Sequence, residues 1–332
     1  MTLLLKAADV RKLLPLADCM SAVEEAFRML ALGTAPPPAV LAVHTSRGSF
    51  HAKAGTLRLR REYFALKSNA NMSENPRAGL PTIQGVVLLC DAENGRVLAI
   101  MDSSEITKLR TAAATGIAAK YLAHPGAATL TLCGCGAQAD AQFSALAAVR
   151  ALRRVFVHDV DRTRADEFVR RWSQRCGVSV EVAPTIGDAV RQSDIVVTCT
   201  TSKRHFIERE MVSPGTFIAA VGADSEGKQE IDPHLLAESR LVCDLTSQCA
   251  QIGELHHAVA AGLMTAGDVF AELGKIVAGA VSPQLSKDDL VVFDSTGIGI
   301  QDVAAAAVAY ERAADTGGLA SFDFAAAEEP AA

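Results

Sequence analysis

The stretch "ATLTLCGCGAQADAQFSALAAVRALRRVFVHDVD", residues 128 to 161, decides how this chain folds. TLTLCG is short, apolar and rich in β-forming residues, and it runs straight into a glycine turn. The segment after it carries Ala139, Phe143, Leu146 and Ala147 at helical spacing, and RVFVHD then reads as a second strand. In this strand, turn, helix order, Gly134, Gly136 and Ala139 fit the pattern G-x-G-x-x-A. The first glycine makes the turn, the second lets the backbone approach a pyrophosphate, and the small third residue lets helix and strand pack closely. Phosphate then rests on the helix N-terminus, drawn by free N–H groups and the dipole. Asp159 closes the second strand 20 residues after Ala139, where a carboxylate can hold the adenosine ribose hydroxyls. A tight structural turn is the competing reading. Cys133 and Cys135 are bystanders either way: a pair gives two ligands, zinc wants three or four, and no nearby histidine cluster completes a set, so no metal is expected. His256 and His257 are adjacent, point in different directions on a helix, and are read as surface or capping residues.

Working outward, the same alternation continues through DIVVTCT, TFIAAVG, LVCDL and LVVFDST, with helical segments between them. That pattern predicts a parallel, doubly wound sheet of Rossmann type over residues 126–302. Residues 1–125 mix helices with strands such as GVVLLCD and RVLAIMD, joined by AENG as a hairpin, and predict a separate α+β domain. A length of 332 residues fits two cores better than one. The net charge of -6 gives nucleic acid or an anionic membrane nothing to bind. No apolar run approaches the ~20 residues of a membrane span and the amino terminus lacks the order of a signal peptide, so a cytoplasmic protein is expected. The eight cysteines have no regular spacing and are expected as free thiols. The alanine-rich end FAAAEEPAA is expected to fray.

The amino-terminal half carries its own chemistry. Asp102 and Glu105 resemble a capping box opening a helix on which Ile106, Arg110, Ala113 and Ile117 share one face. An arginine there needs an anion: a ligand carboxylate in two-toothed contact, or an internal ion pair. Lys67, in ALKSN, would by itself be read as exposed.

Five ordered blocks resemble the ornithine cyclodeaminase and mu-crystallin family: GLPTIQG (79–85), MDSSEITKLRTAAATG (101–116), LCGCGAQA (132–139), VGADSEGKQEID (221–232) and VVFDSTGIGIQDVAAA (291–306). The resemblance implies that Lys67 and Arg110 hold a substrate carboxylate and that Asp224 acts on the substrate amine, in a pocket between two domains closed over nicotinamide. It further implies a homodimer paired through the amino-terminal domain, to which the carboxyl-terminal segment, 303–332, returns. Asp224 follows TFIAAVGA, at the carboxyl end of a strand where ligands of open sheets bind, although a turn carboxylate before Gly227 would look the same. Expected cofactor contacts are Gly134, Gly136, Ala137, Gln138, Ala139 and Asp159, with Thr198, Thr200, Thr201, Val221 and Gly222 at neighbouring strand ends. Asp159 favours NAD(H), since its charge repels the extra phosphate of NADP(H), while Arg162 and Arg164 nearby keep NADP(H) possible.

The chain also departs from the family. The early proline stretch APPPAVLAV offers no arginine, FHAKAG (50–55) stands where relatives often have methionine-proline-alanine, and Gln284 stands where they often place an arginine. Lys53, within FHAKAG, is a candidate replacement charge for substrate binding. These departures weigh against ornithine as the substrate more than against the chemistry. The expected activity is NAD(P)-dependent oxidation or reduction of a small amino or imino acid at its α-carbon. The alternatives are ornithine cyclodeamination and nicotinamide binding without turnover.

Overall fold

A computed structural model describes residues 1–174 and 177–324; the alanine-rich end lies outside the described residues from 325 onward. The chain divides into two units, Met1–Arg110 with Ile298–Ala332, and Thr111–Gly297. The division falls inside the helix Ser103–Leu122 and just before the helix Gly299–Thr316, rather than at 125/126 and 302/303. One long helix thus serves both units, which no loop-based boundary in the sequence could signal.

The first unit is built on β1 (Thr2–Leu5), β2 (Ala39–Thr45), β3 (Gly48–Arg58), β4 (Glu62–Asn71), β5 (Ile83–Asp91) and β6 (Val97–Asp102). With the short strand Ser321–Phe322 at one edge, the sheet order is Ser321–Phe322, β1, β6, β5, β4, β3, β2. From β2 to β6 it is an antiparallel meander, and the expected hairpin is β5 against β6. Period-two alternation gives the sheet two faces. One face carries Leu57, Tyr63, Ala65, Lys67, Val87 and Leu89, all buried, and the helix Gly299–Thr316 packs on β3 and β4 there. The close approach needs glycine: a Cβ on Gly299 would stand 2.2 Å from the Ala54 carbonyl oxygen.

The second unit holds β7 (Thr129–Cys133), β8 (Arg154–His158), β9 (Ser179–Val182), β10 (Ile195–Thr198), β11 (Lys203–Ile207), β12 (Phe217–Ala220), β13 (Gln229–Ile231), β14 (Arg240–Cys243), β15 (Ala271–Glu272) and β16 (Val291–Asp294). Eight of these form one parallel sheet in the order β15-β14-β16-β12-β10-β7-β8-β9, the doubly wound arrangement expected. β10, β12 and β16 are buried along their whole length, as a sheet covered on both faces requires. Each fully buried valine, leucine or isoleucine contributes about 1.5–3 kcal/mol, so these strands anchor the unit. No helix among the described residues is long and apolar enough to cross a membrane.

Candidate active site

In the first unit, β3 and β4 place Lys53 directly opposite Lys67, and both are buried, at 4% and 2% exposure. Like charges across a strand pair are unfavourable, and burial makes them more so. Arg110, on the helix Ser103–Leu122, is buried at 5% beside them. Lys67 and Arg110 meet Asp302, in the first turn of the helix Gly299–Thr316, which is fully buried, and Lys53 acts on it through its charge. Lys67 Nζ donates to Asp302 Oδ1 at 2.8 Å, Arg110 Nε donates to the same oxygen at 3.1 Å, and Arg110 Nη1 donates to Gln301 Oε1 at 3.0 Å. Burial lowers the Lys67 ammonium to about 7; Arg110 and Lys53 push the same way and Asp302 opposes them. The reading of Lys67 as an exposed side chain is therefore corrected, because the helix covers the face from which it projects. For Arg110 the internal ion pair is present, and its partner is shared with Lys67.

Asp302 and Gln301 were not singled out by the sequence, although both lie within the block VVFDSTGIGIQDVAAA. A carboxylate near the start of an alanine-rich helix reads as a routine dipole partner. The capping box at Asp102 is half formed: Asp102 Oδ1 accepts the Glu105 N–H at 3.0 Å. The Glu105 carboxylate instead accepts from Arg11 at 2.6 Å and Lys108 at 2.8 Å.

In the second unit, Gly134 ends β7 in the left-handed region, with φ +99°. A Cβ there would stand 3.0 Å from both the Cys199 carbonyl oxygen and the Thr200 methyl, so the turn sits tightly on the end of β10. Among the described residues the backbone N–H groups of Gly136, Ala137 and Gln138 have no acceptor within the protein. Space around Gly136 is open, and Gln138 Oε1 is buried and unpartnered. Ala139 opens the helix Ala139–Val149, whose N-terminus has no side-chain cap. Unsatisfied donors at an uncapped helix start are what a pyrophosphate would satisfy, so these residues fit a dinucleotide. Asp159 is held in place by the Cys135 N–H at 2.7 Å and the Asp161 N–H at 2.8 Å. Arg162 and Arg164 are engaged at the surface with Asp166 and Asp161. Cys133 and Cys135 are buried; burial pushes the Cys135 thiol up to about 12 and Cys133 well above its usual value.

Thr198, Val221 and Gly222 are buried, Thr200 is half-buried and Thr201 exposed. The N–H groups of Thr200 and Gly222 both donate to one carboxylate, Glu230, at 2.7 and 2.9 Å. Glu230 ties together the ends of β10 and β12, and its own N–H is held by Glu254 at 2.8 Å. Asp224 lies beyond the end of β12, half-exposed, with its carboxylate 2.6 Å from Lys228 Nζ. Lys228 was missed by the sequence reading; the spacing to Asp224 crosses a loop, where partners are not periodic. The Lys228 carbonyl oxygen can only accept, so His257 Nε2, 2.7 Å away, is the donor. His256 and His257 are half-buried rather than surface residues.

Cys243, Cys249 and Asp294 form a group of potential metal ligands among the described residues, with ligand atoms within 4.8 Å of one another. The Cys249 thiol already donates to Asp244 Oδ1 at 3.3 Å and the Asp294 carbonyl at 3.4 Å, as a neutral core thiol does. The seven described cysteines are all free.

Fold and turn together define a two-domain protein with a Rossmann-type, dinucleotide-binding unit. Residues 1–317 match the ornithine cyclodeaminase/mu-crystallin family, and the chain belongs to that family. It is 39% identical over 312 residues to an alanine dehydrogenase of Archaeoglobus fulgidus, covering 94% of this chain and 95% of the relative. Among solved structures, an archaeal alanine dehydrogenase dimer with bound NAD superposes with a TM-score of 0.93 at 38% identity, over 97% of this chain and 99% of that one. Delta(1)-pyrroline-2-carboxylate reductase of Thermococcus litoralis, in complex with NADH and L-proline, gives 0.90 at 29% identity, over 95% and 98%.

Proposed function

We propose that this protein is an NAD(H)-dependent oxidoreductase that transfers a hydride between nicotinamide and the α-carbon of a small amino or imino acid. The observation that carries the reading is the buried set Lys67, Arg110 and Asp302. Two cations against one carboxylate leave one positive charge, which a ligand carboxylate would neutralise. Buried charge without compensation costs several kcal/mol, so a fold that keeps such a surplus keeps it for a ligand. Arg110 supplies a planar fork and Lys67 a point charge, the pairing suited to a carboxylate. Lys53, buried beside them, adds to the same field.

NAD, when bound, supplies the hydride acceptor. The free N–H groups of Gly136, Ala137 and Gln138 would hold its pyrophosphate, and the fixed Asp159 carboxylate would favour NAD(H) over NADP(H). Asp224 is the proposed base: it takes a proton from the substrate ammonium so that the nitrogen lone pair can drive hydride loss, and once it has passed that proton to solvent its restored charge stabilises the cationic imine. In the reductive direction it returns a proton to the amine. Lys228, paired with Asp224, competes for the same carboxylate and must yield to the substrate ammonium.

A homodimer paired through the first unit belongs to the same proposal. The sheet face away from the helix Gly299–Thr316 exposes Leu41, Val43, Phe50 and Val86 at 62, 50, 44 and 47%. Val43 pairs directly with Phe50, so the residues form one apolar patch beside the open edge of β2. Such a patch marks a protein contact, and pairing would also cover the edge. The free cysteines suit the reducing cytoplasm proposed for it.

The test is a panel of amino acids with NAD, scored for both cofactor absorbance and ammonia. Net NADH formation supports the dehydrogenase reading. Ammonia without net NADH would mean a cyclodeaminase, and neither product with NAD still bound would mean a binding protein.

A further inference from the structure

Asp302 uses its two oxygens unequally. Oδ1 accepts from both Lys67 and Arg110, whereas Oδ2 is buried with no hydrogen-bond partner among the described residues. A carboxylate serving only to neutralise two neighbours gains most by giving each its own oxygen. Here one oxygen fixes two cations that come from different elements, a strand and a helix. The backbone fixes Asp302 in turn, because the Gly299 contact with Ala54 seats its helix on β3.

We propose that Asp302 is the positioning residue of the carboxylate clamp: it gathers the Lys67 ammonium and the Arg110 guanidinium on one oxygen so that both offer their remaining N–H groups to a single ligand carboxylate. This rests on the clamp reading above. Asp302 also governs the protonation of Lys67. Around Lys67 stand Lys53 from β3, Arg110 from the helix Ser103–Leu122, Asp302 from the helix Gly299–Thr316, and apolar Val87 from β5. The Cys19 thiol, which senses both Arg110 and Asp302, is pushed up to about 12 by burial and stays neutral. Asp302 is thus the nearby group that raises Lys67, against burial and two cations that lower it. Remove its charge, and Lys67 loses its proton at lower pH, together with its hold on an anion.

The experiment uses propionate as the probe, titrated by calorimetry into the full-length protein saturated with NADH, across a range of pH. In the wild type, propionate affinity should fall as pH rises through about 7, where Lys67 discharges. Asp302→Asn should weaken propionate binding by roughly tenfold or more and move that fall to lower pH, with NADH affinity unchanged. Since a buried Asn beside two cations can compromise folding, Asp302→Glu is the second arm. It keeps the charge and misplaces it, so affinity should drop while the pH of the fall stays put. Wild-type affinity in Asp302→Glu, or wild-type affinity and pH dependence in Asp302→Asn, overturns the inference. Arg110→Ala separates the two failures: if it leaves propionate binding intact, the clamp reading itself is wrong, whereas if it abolishes binding that Asp302→Asn spares, only the positioning role falls.

Discussion

Each unit buries charge, and the two do it in opposite ways. In the first unit, Lys53, Lys67 and Arg110 gather around one carboxylate, Asp302. In the second, Glu230, Glu254 and Asp294 are buried with backbone N–H groups as partners, from Thr200 and Gly222, from Glu230 and Ile231, and from Leu255. Backbone amides are fixed and neutral, so those carboxylates complete the fold without asking for a ligand. Burial pushes Glu230 up and Glu254 well up, and lifts Asp294 to about 7. In the first unit Lys67 and Arg110 donate instead to side-chain oxygens, those of Asp302 and Gln301. Buried acids here are tethers; the buried bases are proposed as a receptor.

The contrast breaks first at Arg110. If the cation set is a receptor, Arg110→Ala should weaken substrate binding by about 2 to 5 kcal/mol, roughly 30-fold to a few thousand-fold, with NAD affinity and thermal stability nearly unchanged. Steady-state kinetics beside a thermal melt would show it. Loss of stability in step with loss of binding would make Arg110 a tether like the acids.

Glu230→Ala should give a smaller and different effect. It orphans the Thr200 and Gly222 N–H groups at the ends of β10 and β12, each a cost of about 1–3 kcal/mol, so both stability and NAD affinity should fall, the latter by roughly tenfold. Calorimetric titration with NAD measures it. A pure loss of affinity at wild-type stability would make Glu230 part of the receptor instead.

The smallest effect is on pH dependence. Asp294 is held neutral by burial, so its contribution to stability is full below the ordinary carboxyl range and is lost as pH rises through about 7. Asp294→Asn should flatten the decline of melting temperature over that window, by about 2 to 4 °C. An unchanged slope would mean that Asp294 is not the group that titrates.

Much of this was legible in the sequence for a physical reason: the glycine turn, the strand spacing and the Asp159 position follow from local backbone geometry. All six strands read from 128 onward are in the parallel sheet, whereas β9 and the two-residue β15, short edge strands with little apolar signal, were not foreseen. Lys67 and Arg110 were found through the family resemblance, because their burial depends on a helix near the other end of the chain. Asp302 and Gln301 escaped for the same reason: a side chain whose partners lie 192 or 235 residues away, as those of Asp302 do, leaves no periodic trace. Glu230 escaped because its partners, the Thr200 and Gly222 N–H groups, sit beyond strand ends, where spacing is not periodic. Asp224 stood out by its place after a strand, but its pairing with Lys228 is a loop contact.

The central claim is that a carboxylate-anchored amino acid loses hydride from its α-carbon to NAD once Asp224 has taken the ammonium proton. Single-turnover reduction of bound NAD, followed by absorbance after mixing with L-alanine or L-proline, tests it most directly. The account predicts one equivalent of NADH per site in the wild type with at least one of these substrates, and a rate lower by roughly 100-fold or more in Asp224→Asn at saturating substrate. NAD reduction by Asp224→Asn at the wild-type rate would contradict it.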